Sequence, residues 1–276
     1  MALFGIAILC GMDGVLKELT QRYSSSQVTF MRFAPSALFG AIFFLAWRTP
    51  WPSRRSIVGN MQRGVLFLIA SALFIHAMSK APLAQVFAVS YMAPVLAALL
   101  AMPILGEKPD GRVALSLAFG FAGVIVAIGG VDFSGASLNH LEGAIAAMGS
   151  AIAYAFVLVY LRRQAMSDPP ITIALFQSLM PVIVLGVLFA GAKLFAPAST
   201  LASSWTPIAA SDAPGLIFVG LCSIIGHMAL AQAFSRAEAS RLAPIEYSSF
   251  VWAALIGFFW FAEIPSVATV VGAALI

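Results

Sequence analysis

Charge is what this 276-residue sequence has least of: Lys, Arg, Asp and Glu make up 9% of it, against 61% hydrophobic residues and a mean hydropathy of +0.98. Soluble domains carry roughly 25% charged residues, and so few charges cannot cover a water-facing surface. A soluble globular protein is excluded. No polar stretch is long enough to build an extramembrane domain, which excludes catalysis outside the bilayer. The alternation of an outer-membrane barrel strand is missing as well, since 39–47 and 113–128 are apolar almost throughout. Cysteine is nearly absent. Cys10 and Cys222 both fall inside apolar runs with no CxxC and no His at ligand spacing, so they read as small buried apolar residues, not as a disulfide or metal pair. GxSxG, HExxH, a Walker A loop and any Cys/His cluster are also lacking. That leaves no catalytic constellation, no nucleotide site and no implied cofactor or metal, so the chain does not read as an enzyme and transport would have to draw on gradients. The formal charge of +4 is too diffuse for nucleic-acid binding. No A-x-A site follows the first apolar run, so a removed signal peptide is not expected.

What is present is a series of apolar runs. A helix needs about 20 apolar residues to cross a ~30 Å hydrocarbon core. The breaks place helices near 2–18, 28–47, 64–80, 83–104 and 112–130, then near 142–162, 171–195, 214–235, 241–261 and 266–276. The last has about half the required length, so that helix is expected to be incomplete. With the N-terminus cytoplasmic, the even-numbered connections hold Arg48, Arg54, Arg55, Arg63, Lys108, Arg112, Arg162, Arg163, Arg236 and Arg241, and the other side holds Lys17, Arg22, Lys80 and Lys193. That imbalance follows the positive-inside rule and puts both termini in the cytoplasm.

The chain also matches itself. At an offset of 156 residues, Tyr91, Glu107 and Pro109 meet Tyr247, Glu263 and Pro265, and Lys80 meets Arg236, in one ungapped register with several alanines and leucines. Two copies of an odd number of spans enter the bilayer from opposite sides. The expected fold is therefore all-α and integral to the membrane: ten transmembrane helices as two inverted five-helix repeats around a central cavity. The first repeat would cover 1–130 and the second 142–276, joined by a loop at 131–141. Inverted repeats recur in secondary transporters, whose substrate site lies near the midplane between the copies. Some channels share the device.

The stretch Tyr91-Met92-Ala93-Pro94-Val95-Leu96-Ala97-Ala98-Leu99-Leu100, followed by Leu105-Gly106-Glu107-Lys108-Pro109 and the glycine-bearing span 120–130, resembles the drug/metabolite transporter superfamily, EamA type. Phe261-Ala262-Glu263-Ile264-Pro265 resembles a second, weaker copy. Within the superfamily the chain is most similar to bacterial inner-membrane exporters of amino acids, aromatic ones included. That resemblance implies a multi-pass inner-membrane location. Family members often carry an aromatic residue late in helices one and six. Tyr154 fits, while the first copy offers Met12-Asp13 instead.

An ionisable group at the membrane centre costs about 2.5–3.5 kcal/mol on insertion scales, so it usually faces a cavity or a partner. Asp13, Arg32, His76, His227 and Glu246 are the candidates. Tyr91 and Tyr247 lie roughly 9–12 Å into their helices; they either pack in the core or line a cavity. Glu246 matches Ser90 in the other copy. It either pairs with a substrate ammonium or coupling proton, or serves as a helix-dipole acid or a partner of Arg241. Arg32 suits a carboxylate or snorkels to the interface. Asp13 and Lys17 are spaced to pair with each other. His76 matches Gln232, a polar candidate of similar weight, and His227 matches Ser71, so the two histidines do not form a repeat-related pair.

The expected binding set is Tyr91, Tyr247, His76, Gln232, Glu246, Tyr154, Ser90, Trp252 and Arg32, with Glu246, His76 and Asp13 as coupling candidates. The resemblance, together with an expected cavity that is mostly apolar with few charges, implies non-ATP export of small organic solutes by alternating access, amino acids first, including aromatic or apolar ones. Other metabolites or drugs on the same fold, or a channel, are the alternatives. Expected partners are a small-molecule substrate and membrane lipid, with the chain acting as a monomer.

Overall fold

A computed structural model describes residues 1–80, 86, 89–127, 138–196, 199, 205–261 and 267–275. Among them there is no strand. The helices are α1 (Ala2–Leu19), α2 (Ser25–Ala46), α3 (Arg54–Lys80), α4 (Ala93–Leu105), α5 (Gly111–Ala127), α6 (Leu138–Ala165), α7 (Pro170–Phe195), α8 (Ala213–Arg236), α9 (Ala239–Leu242), α10 (Ser248–Phe261) and α11 (Val267–Leu275). Two 3₁₀ turns, Ala210–Asp212 and Ala243–Tyr247, precede α8 and link α9 to α10.

Local chemistry sets the ends. Ser24 caps α2 by accepting from the Gln27 amide at 3.3 Å, and Asp110 Oδ1 accepts from the Arg112 and Val113 amides at the start of α5. Pro170 opens α7, where a missing N–H costs nothing. Gly106, at φ +72°, ends α4 in the left-handed conformation.

Six helical stretches are long and apolar enough to cross a membrane, within 26–46, 54–77, 141–165, 170–195, 210–236 and 239–260; Ala93–Leu105 and Gly111–Val126 are shorter apolar helices. Large apolar side chains such as Leu194, Phe195 and Phe259 are 75%, 89% and 78% exposed, as a lipid-facing surface requires. The chain is a multi-pass membrane protein.

Two boundaries differ from the sequence expectation. The α3 helix starts at Arg54, ten residues early, because the polar run 54–63 packs against the end of α6 and the start of α7 instead of forming a loop. The spans expected at 83–104 and 241–261 are not continuous either. The described part of the first turns at Tyr91–Met92 before α4, and the second winds as 3₁₀ through Ala243–Tyr247. Pro94 and Pro244 account for both breaks: Pro94 opens the helix after the first interruption and Pro244 opens the 3₁₀ turn of the second, and each lacks an N–H and blocks continuation from the preceding turn. Residues 128–130, 131–137 and 262–266 of the expected boundaries, Glu263 and Pro265 among them, lie outside the described residues.

Packing is mostly between the two halves of the chain. The α3 helix lies against α6 and α7, and α8 lies against α1 and α2; α2 packs on α7, α5 on α11, α4 on α6, and α1 on α10. The pairs just named exchange with one another when helices at the same place in the two halves are swapped, but the packing of α8 on α6 and α7 has no equal in the first half among the described residues. Contacts also sort the loops into two ends. One end, rich in arginine, joins Ser56 to Asp168, Arg63 to Gln164 and Glu107 to Arg162. The opposite end joins Tyr23 to Asp212, Gln27 to Thr206 and Glu18 to Trp260.

Candidate functional site

The two helix breaks meet. Tyr91 and Tyr247 stack at 5.9 Å between ring centroids, and the Tyr247 hydroxyl donates to the Tyr91 carbonyl at 3.1 Å. The second break thereby satisfies a backbone carbonyl of the first, as membrane burial demands of non-helical backbone. Gly120 on α5 makes room for this: a β-carbon there would lie 2.3 Å from Tyr247 Cδ2. The Tyr91 hydroxyl lies 3.2 Å from Ser249 Oγ, whose own hydrogen goes to the Glu246 carbonyl at 2.7 Å, so Tyr91 is the donor.

Around this joint the helices of both halves bring in ionisable groups. Tyr154 on α6 donates to Glu246 Oε2 at 3.2 Å. Arg32 on α2 lies 3.5 Å from Asp13 on α1. Asp13 and Glu246 both fall within electrostatic reach of the Tyr91 and Tyr154 hydroxyls and of the Cys10 thiol. The Phe67 ring on α3 is the common neighbour: the Arg32 guanidinium sits 5.7 Å from its centroid, with Tyr154 at 6.2 Å and His227 at 5.9 Å. Three polar atoms beside these groups, Arg32 Nε, Ser90 Oγ and Ser248 Oγ, are buried and have no partner among the described residues.

The space is lopsided. Toward the arginine-rich end, Ile6, Ala97, Ala101, Leu158, Val159 and Phe234 belong to one continuous core that fills the region between the halves. Below it, buried Glu107 accepts from Arg162 Nε at 3.3 Å and from the Ser240 amide at 3.1 Å, while Arg162 also donates to the Phe234 carbonyl at 2.6 Å. Toward the opposite end the Asp13 side chain keeps 53% of its surface accessible.

The structure thus brings Tyr91, Tyr247, Tyr154, Glu246, Arg32 and Asp13 together, with Ser90 beside the break. The other expected residues make different contacts. His76 Nε2 lies 3.0 Å from Glu142, which also pairs with Lys80 at 3.2 Å, on the half-exposed far end of α3. Gln232 donates to Ser235 on its own helix at 3.1 Å, and Trp252 packs on the apolar core. Arg241 pairs with Glu238, not with Glu246. Phe67 was hidden among 22 phenylalanines; only its central position singles it out. Arg63, fully buried between α3, α6 and α7, donates to Gln164 Oε1 at 2.6 Å, to the Ile173 carbonyl at 2.9 Å and to Gln177 Oε1. The sequence had assigned it to a loop.

Known proteins resemble the chain over most of its length. Human solute carrier family 35 member G1 is 30% identical over 219 residues, which is 76% of this chain and 58% of that protein. The pseudopaline exporter CntI of Pseudomonas aeruginosa is 23% identical over 96% of this chain and 88% of its own, and an S-adenosylmethionine uptake transporter of Rickettsia bellii is 22% identical over 96% and 85%. A solved crystal structure superposes on 99% of the chain and 92% of its own length with a TM-score of 0.78 at 23% identity, so the fold is shared. The sequence profile of the EamA-like transporter family matches residues 1–129 and 141–276, and with nearly the whole chain covered the protein belongs to that family.

Proposed function

We propose that the protein is a secondary transporter that exports amino acids, aromatic and apolar ones included, across a bacterial inner membrane by alternating access. In this reading 1–130 and 142–276 are two inverted copies, both termini are cytoplasmic, a single chain encloses the chamber, and membrane lipid surrounds it. The carrying observation is the meeting of two interrupted helices from opposite halves, Tyr91 against Tyr247, with Arg32, Asp13 and Glu246 beside them. Interrupted helices at a repeat interface are a recurrent way to hold a charged solute in a membrane. Arg32, with a spare Nε–H, suits a carboxylate; Asp13 and Glu246 suit an ammonium; the tyrosine and phenylalanine rings supply apolar wall. A phosphate would call for several cations, and among the described residues Arg32 is the one beside this joint. Glu246, held by Tyr154, and Asp13 are the carboxyls placed to carry a coupling proton.

The filled arginine-rich half and the accessible Asp13 support a conformer open toward the opposite end, outward in this topology. Two relatives, named for pseudopaline export and for S-adenosylmethionine uptake, support a carrier of small organic solutes.

The test is uptake of a panel of labelled amino acids into proteoliposomes under an imposed pH gradient or membrane potential. Saturable movement and counterflow of L-phenylalanine or another apolar amino acid is expected. Movement of a sugar phosphate or lipid but of no amino acid overturns the substrate assignment, and non-saturating conductance overturns the carrier.

A further inference from the structure

We propose that His227 is a specificity-determining residue of this chamber. Its Nε2 accepts an N–H of the transported solute, in a subsite built with Arg32 around the Phe67 ring. The proposal rests on the transporter reading above and adds a residue that the repeat comparison had set apart.

The tautomer follows from geometry. His227 Nδ1 lies 2.7 Å from the Ser223 carbonyl oxygen, which can only accept, so in the neutral ring Nδ1 carries the hydrogen. The Ser223 hydroxyl stands on the same side, 3.3 Å away. It is held in turn by Ser36 Oγ at 2.6 Å, which receives the Ser178 hydroxyl at 3.1 Å, and Ser178 also touches the Ala174 carbonyl. Three helices, α2, α7 and α8, thus commit buried hydroxyls to fixing one edge of one imidazole. Such a supporting row orients a ring whose other nitrogen has a task.

That other nitrogen is unused. His227 is buried, 8% exposed, and its contacts among the described residues are made at Nδ1, leaving Nε2 without a partner there. A lone pair on a side chain more than nine-tenths inside a membrane protein, with no donor among the described residues, is an acceptor in want of one. The Phe67 ring determines what stands beside it. The imidazole meets it edge-on at 5.9 Å and 79°, the Arg32 guanidinium lies 5.7 Å from the same centroid, and Arg32 Nε is a buried donor without an acceptor. One spare acceptor and one spare cationic donor flanking one aromatic ring form a complement for a solute that carries both an N–H and a carboxylate. A solute lacking the N–H leaves the imidazole unpaired, and sites built around such a hydrogen bond reject the deficient analogue strongly.

Two measurements on the full chain decide this. The first needs no transported solute. In a His76→Ala/His140→Ala protein, diethyl pyrocarbonate should carbethoxylate His227 at Nε2, as read by mapping the peptide that contains it and by reversal of that adduct with hydroxylamine. An inert His227 in folded protein overturns the proposal. The second compares L-phenylalanine with 3-phenylpropionate, which lacks the ammonium. L-phenylalanine should slow the modification and 3-phenylpropionate should not. His227→Phe, which keeps the shape, should reduce L-phenylalanine transport about tenfold or more through KM, and His227→Gln should restore part of it. Unchanged transport by His227→Phe, or equal protection by both probes, overturns the proposal. If the histidine reacts and is protected only by N–H solutes other than amino acids, His227 keeps its role and the amino-acid reading falls instead.

Discussion

Gly64 and Gly220 stand 156 residues apart, and each is pressed against a helix of the other half at the same distance: a β-carbon at Gly64 would lie 2.8 Å from Met180 Cβ, and one at Gly220 would lie 2.8 Å from Pro35 Cβ. A real β-carbon at either place must push two helices apart. Gly64→Ala and Gly220→Ala should each cost about 1–3 kcal/mol, lowering the unfolding temperature of the purified protein in detergent. Gly186→Ala, where nothing lies within 4 Å, should cost nothing. Alanine variants at 64 and 220 as stable as the parent would show that the helices are not in contact there.

A second correspondence joins the ends of the molecule. Tyr23 donates to Asp212 at 2.6 Å at one end, and Ser56 donates to Asp168 at 2.7 Å at the other. Asp212 and Ser56 are 156 residues apart, while Tyr23 and Asp168 are 145 apart, the offset that also relates the starts of α2 and α7. Each clasp ties the turn after the first helix of one half to the head of the third helix of the other, with the carboxylate on opposite partners. Arg22 and Asn60 reinforce them. Tyr23→Phe and Ser56→Ala should each lose about 0.6 kcal/mol, the average for hydrogen bonds between membrane helices, and the double variant should lose the sum because the sites are far apart. Thermal unfolding of the three variants checks this, and a marked departure from additivity would contradict it.

Glu107 offers a larger effect. Its carboxylate holds Arg162 and the Ser240 amide in a nearly closed site. Glu107→Ala strands a buried cation and should cost about 3 kcal/mol. Glu107→Gln, which keeps an acceptor, should cost less. Unfolding temperatures rank the three proteins, and equality of Glu107→Ala with the parent would make the tie dispensable.

Asp110 carries the pH dependence. Backbone amides, Val113 first and then Arg112, together with the nearby Arg241 and Arg112 cations, hold its carboxyl below the ordinary 3.8. A depressed carboxyl stabilises the fold above its ordinary value, and that contribution fades as pH falls through the folded value. The difference in unfolding temperature between parent and Asp110→Ala should therefore stay constant from neutral pH to about pH 4 and shrink below it. A difference that grows on acidification would reverse the assignment.

Much of this was legible in the chain. Hydropathy located the six long apolar helices, and the rare tyrosines drew attention to Tyr91 and Tyr247, which the structure brings together. The rest was hidden for physical reasons. Pro94 and Pro244 looked like mild kinks inside unbroken apolar runs, and nothing local says that a run will be cut in two. Arg63 looked like a loop cation because its acceptors, Gln164, Gln177 and the Ile173 carbonyl, come from a hundred or more residues away. The 156-residue register missed the first two helices of each half, since unequal connections shift them to 145. His227 has no histidine twin in that register, and the serines that stand behind its Ser223 partner, Ser36 and Ser178, come from two other helices.

Arg63 itself has no twin. Its counterpart is Val219, sealed among Met12, Leu16, Leu19 and Met31. Parting one mouth of the protein would strip a desolvated guanidinium of three acceptors; parting the other would separate hydrocarbon from hydrocarbon. In a carrier that alternates between two shapes, those shapes then differ in free energy at rest, and the competent fraction met by a solute differs with the face it approaches. Apparent affinity scales with that fraction, so sidedness would be written into the packing before any gradient is applied.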